Sequence, residues 1–503
     1  MSNDPVVTAV SDDDLNEQQQ VRRDKRQRLL DEGAEAYPIS VPRTHTVLEV
    51  REMFDPQNLA PDTHTGDVVS LTGRVIFLRN TGKLCFVRLR EGGGSEIQVM
   101  FSLADLGEDS LSNFKALVDL GDLLSVTGEI ITSRRGELSV QATAWEIAAK
   151  SLTPLPNEHR PLSDEARIRL RYVDMIVRQE ARDMVRAKAT VLRSLRDTLH
   201  DHIFTEVETP ILQLTNGGAA ARPFRTHLNA LDQPMLLRIA IELDLKRAMI
   251  GGVDRVYEIG RTFRNEGLDS THAAEFSMLE AYQAYGDQFS MMELTRELIL
   301  NAARAVGRTK VTGRDGSEID LEQPWRQAAI FDLVSEAVGA EIDVETDEET
   351  LRAHAAKHEV ELQPKWGAPE IVVELYEQLV EDSLINPTFV MDFPTALKPL
   401  AKAHRSKPGV TEAWDLIING VELAAAYSEL NDPVVQRDRL TEQSLLAAAG
   451  DAEAMELDEV FLKAMEYGMP PAGGLGMGVD RLIMLLTGAG IRETILFPLL
   501  RPE

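Results

Sequence analysis

The 503-residue chain contains a single cysteine, Cys85, so it can form no internal disulfide bond and no cysteine-based zinc site. No apolar run in the sequence approaches the roughly 18 residues that a membrane-spanning helix needs. Residues 1–20 are polar and acidic and contain no apolar core, which argues against a secretory signal and indicates a disordered tail. We therefore expect a cytoplasmic protein.

Positive charge is also scarce. The chain has 53 lysines and arginines against 82 aspartates and glutamates, a formal net charge of −29. Contact with nucleic-acid phosphates requires lysine and arginine, so the overall charge argues against a general nucleic-acid binder. The basic segment 22–28 is a local exception. Taken alone, such a charge run is more often a solvated helix face than a binding surface.

The pattern along the chain predicts a multidomain α+β protein. A helical extension is expected at 21–60, and its first helix, which is short and basic, is expected to span about 21–33 and to end at Gly33. Five strand-like runs separated by turn signals at 61–150 are typical of an OB-fold β-barrel. A proline-rich linker follows at 151–170. The mixture of strand-like and helical runs at 171–503 predicts one large catalytic domain. A helical, acidic insertion in it is expected at about 335–385.

Two motifs in the large domain combine cationic, acidic and aromatic side chains with glycine. Residues 261–267 read Arg-Thr-Phe-Arg-Asn-Glu-Gly, and Phe276 follows shortly after them. About two hundred residues later, 473–481 read Gly-Gly-Leu-Gly-Met-Gly-Val-Asp-Arg. Together these segments resemble motifs 2 and 3 of class II aminoacyl-tRNA synthetases. A long predicted helix and a strand ending in proline, at 187–210, resemble motif 1.

This resemblance implies a catalytic domain built on an antiparallel sheet flanked by helices, in which ATP activates an amino acid. Arginine suits the reaction because its planar fork holds phosphate and carboxylate oxygens together. The family pattern makes Arg264 and Arg481 catalytic, on opposite sides of one ATP. The other implied ATP-binding residues are Glu266, His272, Phe276, Asp415, Glu422 and Gly478.

Magnesium is the implied metal, typically more than one ion with ATP, and the family pattern assigns it to Asp415 and Glu422. Mg²⁺ prefers oxygen ligands. The two carboxylates flank Asn419-Gly420, a dipeptide typical of a tight hairpin, so cross-strand pairing could bring them together. Two arbitrary carboxylates are more often simply solvated, but the surrounding motifs favour a metal site here.

Three more segments are similar to those of bacterial-type class II lysyl-tRNA synthetases, at 217–224, 278–282 and 427–433. A lysine side chain ends in an ammonium, which needs a carboxylate at the right depth of its pocket. The resemblance implies that Glu429 is this carboxylate, with Tyr282 as its hydrogen-bonding partner. The other implied lysine-binding residues are Gly218, Glu242, Arg264, Glu280 and Tyr427.

The resemblance extends from about residue 20 to the end of the chain and also implies macromolecular partners. A homodimer is expected through the 187–210 region. The barrel is expected to bind the anticodon of tRNA(Lys), because splayed bases expose their edges and faces. The implied anticodon contacts are Arg79, Phe86, Gln98 and Glu137. The alternation of residues does not decide whether Phe86 faces the barrel core or the outside.

Four positions depart from the family pattern. Ala425 stands where relatives usually have an asparagine that contacts the substrate carboxylate, and losing a hydrogen bond to a charged group costs about 1.5–3 kcal/mol. Ile241 and Asp244 stand where relatives commonly have proline and an aromatic residue, and Thr271 replaces an arginine. We expect weaker lysine binding than in typical relatives. The carboxylate of Asp244 could either attract cations or face solvent.

The leading interpretation is a lysine–tRNA ligase that makes lysyl-adenylate and then esterifies the 3′ end of tRNA. An alternative is a paralogue that transfers lysine or a related amine to a non-tRNA acceptor, which Ala425 and Asp244 keep open. A third is a catalytically inactive tRNA-binding or regulatory protein. The third is disfavoured because the motif arginines and carboxylates are all present.

Overall fold

The structure is a computed structural model that describes residues 16–55, 58–156, 161–267, 273–449 and 454–500. The chain divides into two compact units, 1–182 and 183–503. The division falls inside a helix rather than in the predicted linker at 151–170. No helix in the described ranges is long and apolar enough to cross a membrane.

The first described element of the first unit is a capped helix. Its elements are α1 Glu17–Asp31, α2 Val47–Met53, β1 His64–Asn80, β2 Leu84–Arg90, β3 Glu96–Ser102, α3 Leu103–Leu106, α4 Glu108–Leu117, β4 Leu123–Thr132, β5 Leu138–Ala149, α5 Asp164–Arg169 and α6 Arg171–Val177. Asn16 and Gln19 form a reciprocal capping box, with bonds of 3.0 and 3.1 Å. Residues 17–20 of the predicted disordered tail are therefore helical, and residues 1–15 lie outside the described residues.

The five strands of the first unit close into a barrel in the order β1-β2-β3-β5-β4. The excursion between β3 and β4 forms α3 and α4. Phe114 of α4 stacks on Phe101 of β3, with 4.1 Å between the ring centroids, and both side chains are fully buried. The predicted OB-fold architecture is confirmed.

The second unit mixes helices and strands along its whole length. Its elements are α7 Gln179–Asp201, which spans the division, β6 Thr205–Glu206, β7 Leu212–Gln213, β8 Arg225–Leu228, β9 Gln233–Leu237, α8 Glu242–Ile250, β10 Arg255–Phe263, β11 Glu275–Ala284, α9 Gln288–Ala305, β12 Lys310–Thr312, β13 Glu318–Asp320, β14 Arg326–Ala329, α10 Ile330–Val338, α11 Glu348–Lys357, α12 Ala368–Leu379, β15 Thr388–Met391, β16 Ala413–Ile418, β17 Val421–Ser428, α13 Pro433–Ala448, α14 Glu459–Met465, β18 Ala472–Gly478, α15 Val479–Thr487 and α16 Ile491–Thr494.

Eight strands of this unit form one sheet in the order β14-β15-β16-β17-β18-β11-β10-β6. Its two outermost pairs, β14 with β15 and β10 with β6, are parallel, and the pairs between them are antiparallel. Val191, Leu195 and Leu199 of α7 recur at the predicted i, i+4 spacing and are fully buried in the core beneath the sheet. The predicted antiparallel sheet flanked by helices is confirmed.

The hairpin between β16 and β17 turns at Asn419 and Gly420, whose φ angles are 58° and 65°. Two consecutive residues in the left-handed region define the tight turn that Asn-Gly favours.

The predicted insertion at 335–385 contains α11 and α12, and α10 begins before it, at Ile330. Ile371, Leu375 and Tyr376 of α12 share a buried cluster with Ile417 of β16. The insertion therefore packs against the catalytic sheet.

Candidate active site

Two adjoining cavities lie against the sheet of the second unit. The larger has a volume of about 760 Å³ and the smaller about 180 Å³. Arg264, Met278, Glu422 and Gly476 line both of them. Arg264 of motif 2 therefore lies where the two cavities meet.

The predicted site residues sort between these cavities. The larger is lined by all seven predicted lysine-binding residues, Gly218, Glu242, Arg264, Glu280, Tyr282, Tyr427 and Glu429, and by Asp415. The smaller is lined by the predicted ATP-binding residues Arg264, Glu266, Phe276, Glu422, Gly478 and Arg481. His272 and Thr271 lie outside the described residues. The structure thus brings together residues that are far apart in sequence.

Two glycines of β18 shape the floor of the larger cavity. A Cβ on Gly474 would collide with the Glu429 carboxylate and the Tyr282 ring, so packing within the protein requires glycine there. A Cβ on Gly476 would meet nothing nearer than the end of Met278, at 3.6 Å. Gly476 pairs with Ala425 on one side and Glu280 on the other. The small residues at 476 and 425 leave open space beside Glu280.

Two of the carboxylates that line the larger cavity, Glu242 and Glu429, are paired with an internal cation. The ammonium of Lys246 lies 2.6 Å from Glu242 and 2.5 Å from Glu429, and all three side chains are buried. Burial raises the pKa of Glu429, an effect that Lys246 opposes and Glu242 reinforces. Lys246 was not predicted as a site residue. Its i, i+4 spacing from Glu242 on α8 is the only sequence signal for this contact.

Glu280 is a third buried carboxylate in this cavity. It accepts a hydrogen bond from the backbone N–H of Ile241 at 2.8 Å and one from the Tyr282 hydroxyl at 3.3 Å. Burial, followed by the charge of Glu242, raises the pKa of Glu280 to about 7, against the effects of the Ile241 N–H and Arg264. Proline at position 241 would have no N–H to donate. The departure at Ile241 therefore gives Glu280 a backbone donor.

Asp244 does not line the larger cavity. It forms an ion pair with Arg247 one turn away and accepts a hydrogen bond from the Gln213 amide at 2.8 Å. The Asp244 carboxylate is therefore paired within the protein and does not line the space where lysine is predicted to bind.

Motif 2 forms the β10–β11 hairpin. The guanidinium of Arg264 lies over the ring of Phe276, 5.4 Å from its centroid, and its Nε donates to the Ile239 carbonyl at 3.4 Å. Its backbone N–H donates to Ala274 at 2.9 Å, which holds the start of the loop to its end. The guanidinium thus lies within cation–π distance of an aromatic ring, and Arg264 lines both cavities.

Motif 3 places Arg481 in the first turn of α15, as predicted, where its Nη1 donates to the backbone carbonyl of Glu422 at 2.6 Å. Its neighbour Asp480 is buried. It accepts from Lys188 at 2.6 Å and from the Ser277 N–H at 2.9 Å, which joins α15 to α7 and β11. Asp480 therefore supports the position of the motif.

The two predicted metal ligands are not directly paired across the hairpin. Asp415 pairs with Ala425, whereas Glu422 pairs with Ile417, two residues further along β16. Both nevertheless line the larger cavity. The ammonium of Lys398 donates to the two oxygens of Asp415, at 3.0 and 2.9 Å. Among the described residues, no three His, Cys, Asp or Glu side chains are grouped closely enough to hold a metal ion.

One wall of the larger cavity comes from the insertion, a contribution that sequence reasoning missed. Glu370, Val373, Tyr376 and Glu377 of α12 line the cavity, and so does Glu381 just beyond the helix. The Tyr376 hydroxyl is buried and has no hydrogen-bond partner. Helical periodicity in the insertion indicates an amphipathic helix but not which part of the sheet it covers.

In the first unit, the barrel strands decide the orientation of Phe86. Cys85, Val87 and Leu89 are buried, so the partly exposed Phe86 faces outward on β2. Arg79 is its cross-strand partner on β1. Gln98 also faces outward, on β3, and donates to Ser139 at 2.9 Å. These outward residues form a polar face that includes the ring of Phe86.

The same face includes Arg88, which lies opposite Gln98 in the β2–β3 register. Its guanidinium lies 3.8 Å from the exposed carboxylate of Glu137. All four predicted anticodon-binding residues are therefore outside the barrel core, where a single-stranded ligand could reach them.

Comparison with known proteins agrees with this arrangement. Residues 163–501 match the family described as tRNA synthetases class II (D, K and N), and residues 69–148 match the OB-fold nucleic acid binding domain. The chain is 54% identical to a lysine–tRNA ligase of Kineococcus radiotolerans, over 98% of both chains. It is also 54% identical to a lysine–tRNA ligase of Mycolicibacterium gilvum, again over 98% of both chains.

A longer relative is matched only in part. The chain is 48% identical to the lysylphosphatidylglycerol biosynthesis bifunctional protein LysX of Mycobacterium ulcerans, over 99% of this chain but only 45% of that protein.

Proposed function

We propose a function for this chain from its family, because it belongs to the class II aminoacyl-tRNA synthetases, in the branch of the lysine–tRNA ligases. The chain joins L-lysine to the 3′ end of tRNA(Lys) using ATP. The observation that carries the choice of amino acid is the cavity with Glu242, Glu280 and Glu429 on its wall and Arg264 at its junction with the second cavity. Lysine has two ammonium groups and one carboxylate, which complement these charges.

In the proposed complex, the side-chain ammonium of lysine reaches Glu429, and the α-ammonium lies near Glu242 and Glu280. The α-carboxylate then points toward Arg264. Tyr282 and Tyr427 line the apolar stem. Because the carboxylates are buried, water screens their charges little and the pocket discriminates against neutral side chains.

Activation follows when the lysine carboxylate attacks the α-phosphate of ATP and pyrophosphate leaves. Two negatively charged reactants must meet, and Arg264 lies where it can contact both and offset the charge that develops. Glu266 and Phe276 are proposed to hold adenine, and Arg481 the far end of ATP. No enzyme nucleophile is required, so the protein contributes positioning and electrostatics.

We propose that ATP binds as its magnesium complex, because Mg²⁺ prefers oxygen ligands and ATP phosphates supply them. Asp415 and Glu422 remain the predicted protein ligands. They do not fit this role equally, because both Asp415 oxygens already accept from Lys398, whereas the Glu422 side chain lines both cavities.

The acceptor is proposed to be tRNA because the barrel presents Phe86 with Arg79, Gln98 and Glu137 on its outside. Aromatic stacking and polar contacts to base edges are how such barrels recognise single-stranded loops. A non-tRNA acceptor remains the alternative that Ala425 and Asp244 left open, and the partial match to the bifunctional relative is a further observation for it. With tRNA as acceptor, a cytoplasmic location remains our expectation.

A homodimer through the 187–210 region is also proposed. Ile203, in this region, is 80% exposed and Ile211, just beyond it, is 42% exposed, and both are apolar residues that a second copy could cover. Light scattering on the purified chain tests this proposal, and a monomer would contradict it.

Two assays test the proposed function. Pyrophosphate exchange with a panel of amino acids should respond to lysine and not to aspartate or asparagine. Charging of purified tRNA(Lys) with labelled lysine should then follow. Exchange without charging would support the alternative acceptor, and no exchange with any amino acid would contradict the enzyme itself.

A further inference from the structure

Lys398 lies at the end of the larger cavity where a metal ion is predicted. It belongs to the segment between β15 and β16, and its ammonium is bonded to both oxygens of Asp415. The two side chains are only 18% and 14% exposed. The carboxylate predicted to hold a divalent ion is therefore already neutralised by a cation of the protein.

Two aromatic rings help to hold this ammonium. It lies 4.4 Å from the ring centroid of Phe393 and 5.6 Å from that of Tyr427. An aromatic face attracts a cation through its quadrupole, and the attraction is larger where water is excluded. Movement of Lys398 away from Asp415 would leave a largely buried carboxylate unpaired and would also lose these ring contacts.

The surroundings of the pair are strongly acidic. Burial raises the pKa of both Glu377 and Glu381, and neighbouring carboxylates, Asp415 and Glu422 among them, raise it further. Arg481 acts in the opposite direction on Glu381. The site thus gathers several carboxylates around one internal ammonium. In other proteins that bind ATP, a metal ion supplies the positive charge beside such carboxylates.

We propose that Lys398 is a built-in cation that occupies the divalent-ion position at Asp415, so that magnesium entering with ATP binds without Asp415. A divalent ion on Asp415 would lie within a few ångströms of the ammonium and be repelled by it. It would also need near-octahedral oxygen coordination, which an oxygen shared with an ammonium serves poorly. The inference rests on the proposed function only in taking ATP as the ligand.

The number of bound Mn²⁺ ions, counted by electron paramagnetic resonance titration with a saturating non-hydrolysable ATP analogue, tests this proposal. Lys398→Met keeps the length of the side chain but removes its charge, and should bind one more Mn²⁺ per chain than the unaltered protein. Lys398→Arg keeps the charge and should bind the same number as the unaltered protein. Adding Asp415→Asn to the Lys398→Met variant should remove the extra ion.

Lys407→Met is the matched control. Lys407 forms a comparable ion pair with Asp392, at 2.5 Å, and neither residue lines the larger cavity. This variant should leave the Mn²⁺ count unchanged. A change in the control equal to that in Lys398→Met would show that the extra ion is not specific to Asp415, and would overturn the proposal.

Two other results would also overturn it. One is an equal Mn²⁺ count in Lys398→Met and the unaltered chain. The other is a lower Mn²⁺ count in the Asp415→Asn single variant than in the unaltered chain. This comparison does not use Lys398→Met, so it tests the proposal even if circular dichroism shows that Lys398→Met does not fold. Binding of the ATP analogue is followed separately by calorimetry. If the unaltered chain does not bind the ATP analogue, that result contradicts the proposed function and not the inference about Lys398.

Discussion

Lys246 and Glu429 form a buried ion pair, with 2.5 Å between the ammonium nitrogen and the carboxylate oxygen. The carboxylate proposed to receive the substrate's side-chain ammonium therefore already has a cation beside it. Glu242, on the other side of Lys246, shares that cation. One internal lysine is thus divided between two carboxylates, which leaves negative charge for the ammonium of the substrate.

Glu429→Gln should weaken lysine binding. A charged hydrogen bond contributes about 1.5–3 kcal/mol, so the KM for lysine in pyrophosphate exchange should rise roughly 10- to 150-fold, with little change in the KM for ATP. Glu459→Gln is the matched control, since Glu459 pairs with Arg437 at an exposed position outside both cavities. An unchanged lysine KM in Glu429→Gln would remove Glu429 from the proposed site.

Ala425→Asn should strengthen lysine binding. Position 425 lines the larger cavity next to Gly476, so an amide has room and can donate to the substrate carboxylate. The lysine KM should fall by roughly tenfold or more, which corresponds to about 1.5 kcal/mol or more. Ala425→Leu adds similar volume without an amide and should not lower the KM. A KM that stays equal or rises in Ala425→Asn would contradict the prediction.

Arg264→Lys should slow adenylate formation although it preserves the positive charge. Lysine cannot reproduce the planar fork that Arg264 places over Phe276. Loss of one preorganised donor at developing charge typically costs about 2.7–4 kcal/mol, or roughly 100- to 1,000-fold in kcat, to be measured by single-turnover adenylate formation. Arg247→Lys, at the ion pair with Asp244, should leave the rate nearly unchanged. Equal rates in both variants would exclude a special role for Arg264.

Glu280 should make lysine binding depend on pH. Its pKa is raised to about 7, and a protonated carboxyl attracts the α-ammonium less, so kcat/KM for lysine should fall as the pH is lowered below about 7. Lysine binding near pH 6 should also release protons, which calorimetry in buffers of different ionisation enthalpy detects. Glu280→Gln should abolish both effects, and their persistence in that variant would assign them to another group.

The same raised pKa has a consequence for stability. Between the ordinary pKa of 4.5 and about 7, the unfolded chain ionises Glu280 while the folded chain keeps it protonated. The contribution of this group to the free energy of unfolding therefore decreases as the pH rises through that range. Urea unfolding of the lysine-free protein and of Glu280→Gln should differ in this dependence.

Phe86→Ala should weaken tRNA binding without affecting pyrophosphate exchange. Stacking of one base on an aromatic ring contributes about 1–3 kcal/mol, so the Kd for tRNA(Lys) should rise roughly 5- to 150-fold. Val68→Ala, a 63% exposed apolar position elsewhere on β1, serves as the control. Loss of exchange activity in Phe86→Ala would indicate misfolding, and an unchanged Kd would contradict the anticodon role.

Local pattern alone determined much of this protein. The spacing of Val191, Leu195 and Leu199 predicted the buried face of α7, and Asn419-Gly420 predicted the hairpin between β16 and β17. These features depend on neighbours within a few residues, so the sequence contains the information needed to predict them. The similarity of the motif segments to class II lysyl-tRNA synthetases predicted the family and the residues that line the two cavities.

Only the tertiary structure decided the rest. The outward orientation of Phe86 depends on strand register, in which a shift of one residue exchanges the two faces. Lys246 meets Glu429, and Asp415 meets Lys398, through folding of separate segments, and Asp244 accepts a hydrogen bond from Gln213 and does not line the substrate cavity. A buried charged side chain pairs with a group that offsets the cost of removing its charge from water. Long-range packing sets which group that is, and no local pattern encodes it.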